Sequence, residues 1–152
     1  MCNNVLGYTT SNKEGYQVSI ELSATKSRHA AHLLHVHIVF VTKYRKKVFG
    51  DVHLQFFKRV ASSVCQNLEA ELIECDGEDD HVHMMITYPP KLSISKLVNT
   101  LKASTSKRLR NEFIDLRTHY DKPVLWSRSY FASSCGGAPL EVIKKYIQNQ
   151  RA

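Results

Sequence analysis

Two stretches of this 152-residue chain repeat apolar residues at spacings of three and four, and short alternating or β-branched runs lie around them. Taken in order they read strand, helix, strand, strand, helix, strand. That order predicts an α+β fold, a ferredoxin-like (RNA-recognition-type) antiparallel sheet with its helices on one face. An amphipathic segment near the end predicts an added C-terminal helix carrying a tyrosine. A chain of this length with 43% hydrophobic residues suits one domain with a sizeable core.

The first residues, Met1 to Arg28, mix Gly, Asn, Ser and Thr with few apolar positions and read as a loose arm or accessory hairpin with no assigned chemistry. Leu33 to Thr42 is β-branched and apolar, a buried strand, and it ends in the basic cluster Lys43, Tyr44, Arg45, Lys46 and Lys47. From Asp51 to Leu72, apolar residues at Leu54, Phe57, Val60, Ala61, Val64 and Leu68 mark an amphipathic helix. Glu71 to Cys75 is a short strand, and an acidic turn from Asp76 to Asp80 leads into an alternating strand from His81 to Thr87, which makes a hairpin. Pro89 and Pro90 stop it. Ser93 caps a second helix with Ile94, Leu97, Val98, Leu101 and Leu109 on or near one face. Asp115 to Ser129 is less regular, and Tyr130 and Phe131 begin the last strand. Gly136 and Gly137, then Pro139, lead into the C-terminal helix from Leu140 to Arg151.

Charge narrows the choice of partner. Lys plus Arg number 21 against 14 acids, a net charge of +7 that favours a polyanion. The second helix region from Ser93 to Asn111 contains no acid, and Lys102, Lys107 and Arg108 lie on it as candidate phosphate contacts. Lys43 and Arg45 are candidates of the same kind, with Tyr44 between them as a stacking surface for a base. The four cysteines are widely spaced and form no Cys-x-x-Cys pair, so a reducing cytoplasm is the expected location. No signal-peptide core and no membrane-spanning apolar run of ~18 residues occurs, so no membrane partner is expected.

The chemistry centres on histidine. Alternation sends His81 and His83 to one face of their strand while Val82, Met84 and Ile86 point to the other. Two neutral imidazoles side by side offer a divalent metal two fixed positions and leave the others open. His35 and His37 repeat the spacing on the first strand, and periodicity cannot choose between the pairs. Acidic residues precede His81, however, whereas the first pair sits in an apolar run where packed histidines are usual. Tyr146 and Gln150 are neighbours one turn apart on the last helix and can reach a common point.

Several blocks taken together carry a resemblance: His37 to Arg45, Asp80 to His83, Pro90 to Lys102, Gly136 to Pro139, and Lys145 to Gln150. In this order they resemble the single-tyrosine HUH transposases of the insertion sequence 200/605 family, with the REP-associated tyrosine transposases among its relatives. The resemblance covers residues 25–152 as one domain and leaves residues 1–24 as an unassigned extension. It implies that His81 and His83 are the metal-binding pair, that Gln150 is the third protein ligand, and that Tyr146 is the nucleophile. No catalytic role carries over to His37. It implies Mg2+ or Mn2+ as cofactor, single-stranded DNA with hairpin ends of a mobile element as substrate, and a homodimer whose active sites are shared between subunits. Two other readings fit parts of the sequence. One is a non-catalytic single-stranded nucleic-acid binder. The other is a metal-dependent hydrolase that adds Glu78 or Asp80 to the histidine pair and uses water.

Overall fold

The structure, a computed structural model, describes residues 25–26, 31–32 and 34–134. A two-stranded pair comes first, β1 (Thr25–Lys26) with β2 (Ala31–His32). The main elements follow as β3 (His35–Val41), α1 (Asp51–Asn67), β4 (Glu71–Gly77), β5 (His81–Thr87), α2 (Ile94–Glu112), α3 (Ile114–Thr118) and β6 (Phe131–Ser134). The four long-range strands form one antiparallel sheet in the order β4-β5-β3-β6. The first and third strands of this sheet lie at its centre, which is the ferredoxin-like arrangement expected from the element order.

Strand pleating separates the two faces. Val36, Ile38 and Phe40 pair with Ile86, Met84 and Val82, and all six are buried on the helix side. Against them pack Phe57, Val60, Ala61 and Val64 of α1 and Leu97, Val98, Leu101 and Leu109 of α2. Each of the larger side chains removed from water contributes about 1.5–3 kcal/mol, so this layer supplies the main drive to fold.

Local chemistry sets the element ends. The Ser93 hydroxyl accepts the Lys96 N–H at 3.2 Å, the expected cap of α2. Helix α1 stops at Asn67, short of Leu72, because Glu69 adopts a left-handed conformation at φ 57° that turns the chain into β4. His53 is buried in the first turn of α1, where its Nδ1 accepts the Gly50 N–H at 2.9 Å and its Nε2 faces Asp115 at 3.1 Å.

The segment between α2 and β6 is more ordered than its sequence predicts. It contains α3, then an extended stretch in which Trp126 bridges to Thr42. Trp126 donates to the buried Thr105 hydroxyl at 3.0 Å, and this ties the stretch to α2. The expected C-terminal helix, with Gly136, Gly137, Tyr146 and Gln150, lies outside the described residues, as do residues 1–24.

Candidate metal centre and nucleic-acid surface

On β5, Val82, Met84 and Ile86 are buried in the core while His81 and His83 stay half-buried on the face of the sheet opposite α1 and α2. In register, His83 lies between Val39 of β3 and Asp76 of β4, and His81 lies beside Val41. The two imidazole rings are 4.9 Å apart and nearly perpendicular. Met85, also on this face, is fully buried, so the alternation of burial along β5 is broken there.

His81 is held by its chain neighbour. Its Nδ1 lies 2.7 Å from Asp80 Oδ1, and the other carboxylate oxygen accepts Arg45 Nε at 3.0 Å. An ionised carboxylate only accepts, so the His81 proton sits on Nδ1 and the Nε2 lone pair is available to a metal. Burial by itself would raise the Asp80 pKa, but hydrogen bonds and charge from His81 and Arg45 outweigh it and hold the carboxyl below its ordinary 3.8. Asp80 is therefore spent on orienting His81 and bonding Arg45, which leaves it poorly placed as a metal ligand of its own.

Backbone geometry brings Arg45 to that point. After β3 the chain makes a tight turn over Lys43–Arg45, with Tyr44 at φ 61° and Arg45 at φ 54°. Two successive non-glycine residues in the left-handed region cost roughly 1–2 kcal/mol each. Hydrogen bonds offset the strain: the Asp80 carbonyl accepts the Thr42 N–H at 2.9 Å, and the Asp79 carbonyl accepts those of Val48 and Phe49. The acidic turn and the basic turn are thus locked together. Gly77 completes the hairpin, since a Cβ there would meet the His81 carbonyl oxygen at 2.7 Å.

His83 has a partner that sequence reasoning missed. His37 Nε2 approaches His83 Nδ1 at 3.1 Å, across the β3–β5 pair. His35, by contrast, turns its Nδ1 to the Thr87 hydroxyl at 2.8 Å. Burial, together with the neighbouring His81 and His37, pushes the His83 pKa down to about 4, against an opposing pull from Asp76; burial also lowers His37. Neutral imidazole is the ligating form, so protons compete little with a metal at neutral pH. This donor set fits a divalent cation. Among the described residues no three His, Cys, Asp or Glu side chains are grouped so as to hold a metal ion.

The candidate phosphate contacts fall in different places. Tyr44 is 76% exposed, with Lys43 Nζ 5.2 Å from its ring centre. Beside them lies a cavity of about 320 Å³ that also takes in Lys46, Tyr120, Lys122 and Arg128, with Asp121 as its acid. The residues from 120 onward join this basic, aromatic wall through tertiary folding, and nothing in their own stretch signals it. Lys107 and Arg108 are exposed on α2, in the layer opposite the histidine face. Lys102 is already engaged: Nζ donates to the carbonyls of Ser127, Arg128 and Ser129 at 2.7, 3.0 and 3.0 Å. Burial lowers its pKa, and a phosphate would have to displace those bonds.

Fold and site define an α+β protein of ferredoxin-like topology, with a paired-histidine strand on the sheet face opposite α1 and α2, beside a basic turn. The family model described as "Transposase IS200 like" matches residues 30–150, and the chain belongs to that family. It is 31% identical over 114 residues to the transposase for insertion sequence element IS200 of Salmonella typhimurium, covering 75% of this chain and 74% of the relative. It is similar to a crystal structure of a candidate transposase from Deinococcus radiodurans R1, with a TM-score of 0.68, 27% identity, and coverage of 84% of this chain and 98% of that one. A REP-associated tyrosine transposase solved bound to a REP hairpin shares the fold, with a TM-score of 0.55 and 10% identity, covering 82% of this chain and 68% of that one. This chain is accordingly a transposase, a protein that acts on DNA. Among the described residues no helix is long and apolar enough to cross a membrane.

Proposed function

We propose that this transposase cleaves and rejoins single-stranded DNA through a 5′-phosphotyrosine intermediate, with Tyr146 as nucleophile and His81, His83 and Gln150 as ligands of Mg2+ or Mn2+. The observation that carries the proposal is the pair His81 and His83 on one face of β5, with His81 held by Asp80 so that its outer nitrogen can bind. All three proposed ligands are neutral, so a bound cation would keep its full charge available as a Lewis acid at a phosphate oxygen.

Tyr146 must lose its proton during attack. An ordinary tyrosine titrates near pH 10, about three units above neutral, so the site has to supply roughly 4 kcal/mol or remove the proton in the same step. Lys144 and Lys145 immediately precede the tyrosine and are candidates to stabilise the developing phenolate. The tyrosine oxygen forms a bond to phosphorus, the bond from phosphorus to the 3′ oxygen breaks, and that oxygen takes up a proton. One phosphodiester has replaced another, so attack by a different 3′ hydroxyl rejoins the strand without ATP.

The hairpin-bound neighbour supports a folded DNA end as substrate here, with Lys43, Tyr44 and Arg45 nearest the histidine face as backbone and base contacts. In the same proposal the protein works in the cytoplasm as a homodimer, with the histidine pair from one subunit and Tyr146 from the other. The test is incubation of the full chain with 3′-labelled single-stranded hairpin oligonucleotides and Mn2+, followed by a denaturing gel. Label retained on the protein is the expected result. Cleaved DNA without adduct would mean that water is the nucleophile, and binding without cleavage would mean a non-catalytic binder.

A further inference from the structure

We infer that His37 is a positioning residue for the metal site: it accepts a hydrogen bond from His83 Nδ1–H and so fixes His83 in the tautomer that presents Nε2. The inference rests on the proposed role of His83 as a metal ligand.

The geometry of the pair is informative. The rings lie within 17° of parallel, their centres are 5.3 Å apart, and the facing nitrogens are 3.1 Å apart. A ring nitrogen lies ~1.15 Å from the centre of its own imidazole, so two coplanar rings meeting nitrogen to nitrogen at this spacing would have centres ~5.4 Å apart. The observed value matches that edge-to-edge arrangement, in which the two nitrogens point at each other along one line. Face-to-face stacking would bring the centres closer without aligning the nitrogens.

Two consequences follow for this pair. Because the two nitrogens point at each other along one line, a cation held by both would have to sit between them with a separation of about 4.2 Å, twice the ordinary Mg2+ bond length, so His37 is not a co-ligand through Nε2. The contact is instead an N–H···N hydrogen bond with one proton, at ordinary length. If the proton belonged to His37, neutral His83 would carry its own on Nε2 and could not ligate there. With the proton on His83 Nδ1, the Nε2 lone pair is released.

The result mirrors His81, whose Nδ1 is committed to Asp80 and whose outer nitrogen is likewise Nε2. Each ligand thus has its inner nitrogen bonded, one by a carboxylate that precedes it in the chain and one by an imidazole from the neighbouring strand. Loss of such an outer partner typically weakens metal affinity 10–100-fold. Phe131 packs edge-on against His37, with ring centres 5.9 Å apart, and helps to hold that ring in place.

The test uses the full chain and Mn2+ binding followed by electron paramagnetic resonance, with melting temperature as a check on folding. His37→Ala is expected to bind Mn2+ about 10–100-fold more weakly. In His37→Gln the amide oxygen can accept from Nδ1–H, and affinity should return to within a few-fold of wild type. His35→Ala, on the same strand but bonded to Thr87, should bind like wild type. Wild-type affinity in a folded His37→Ala would overturn the inference, and so would equal loss in His37→Gln and His37→Ala. If His83→Ala also bound Mn2+ like wild type, the fault would lie with the metal assignment itself. Nitrogen-15 shifts of the histidine rings in the metal-free protein give an independent check. They should report His83 protonated at Nδ1, and protonation at Nε2 would overturn the inference without any variant.

Discussion

Replacing Asp80 by Asn keeps its volume and removes its charge at the most constrained point of the site. The side chain is 11% exposed, and its two oxygens accept from His81 Nδ1 at 2.7 Å and from Arg45 Nε at 3.0 Å. An asparagine offers one acceptor and one donor group, so either one of those two N–H groups faces another donor or His81 moves its proton to Nε2 and loses the outer lone pair. Arg45 is 68% exposed and recovers water bonds, so its share is at most about 1 kcal/mol. The His81 contact is more enclosed, and a hydrogen bond to a charged group is worth about 1.5–3 kcal/mol. The expected loss is therefore ~2 kcal/mol, or ~8 °C in Tm for a domain of this size.

The pH dependence of that loss is a sharper test. Asp80 has its folded pKa below the ordinary 3.8, so its stabilisation is complete well above that value and is lost as pH falls through the lower, folded one. The stability difference between wild type and Asp80→Asn should stay constant above about pH 5 and shrink below about pH 4. Chemical denaturation across pH 2.5 to 7 measures it. A difference that grew on acidification, or Mn2+ affinity unchanged in the variant, would refute the role given to Asp80.

Other outcomes follow from the proposed function and from the fold. Tyr146→Phe should fold, bind DNA and form no covalent adduct; co-expressed with His83→Ala it should regain cleavage, with DNA attached only to the His83→Ala chain. Failure of heterodimers shown to form would refute shared sites. Lys102→Met should lower Tm, at a cost of about 2 kcal/mol for its carbonyl bonds, and leave the salt dependence of DNA binding unchanged. A flatter salt slope with normal Tm would instead mark Lys102 as a phosphate contact. Lys43→Ala should reduce the slope of log affinity against log salt by about 0.7 on single strands, and an unchanged slope would remove it from the DNA surface. Gly77→Ala should destabilise the β4–β5 hairpin by at least ~1 kcal/mol in urea unfolding, because its Cβ would strike backbone rather than a movable side chain.

The order of strands and helices, the helix-facing core and the common face of His81 and His83 are legible in the sequence, because period two and spacings of three and four are properties of single elements. The Ser93 cap is legible for the same local reason. His37 is different. In the β3–β5 register Val39 stands opposite His83 and His37 opposite Met85, so His37 meets His83 only as a diagonal neighbour, a distance that long or aromatic side chains can span. A strand's own sequence specifies which residues share a face but not which residues of another strand they meet. Arg45 reaches Asp80 only through two left-handed residues, a conformation neither Tyr44 nor Arg45 signals by type. Lys102 reads as one more exposed helical cation until the 127–129 carbonyls fold over it. Periodicity within one element thus determined the fold and the common face of His81 and His83, though not which of the two histidine pairs is the site. Tertiary structure alone decided what orients His83 and what holds Asp80 beside His81, since pairing register and loop closure depend on contacts between segments far apart in the chain.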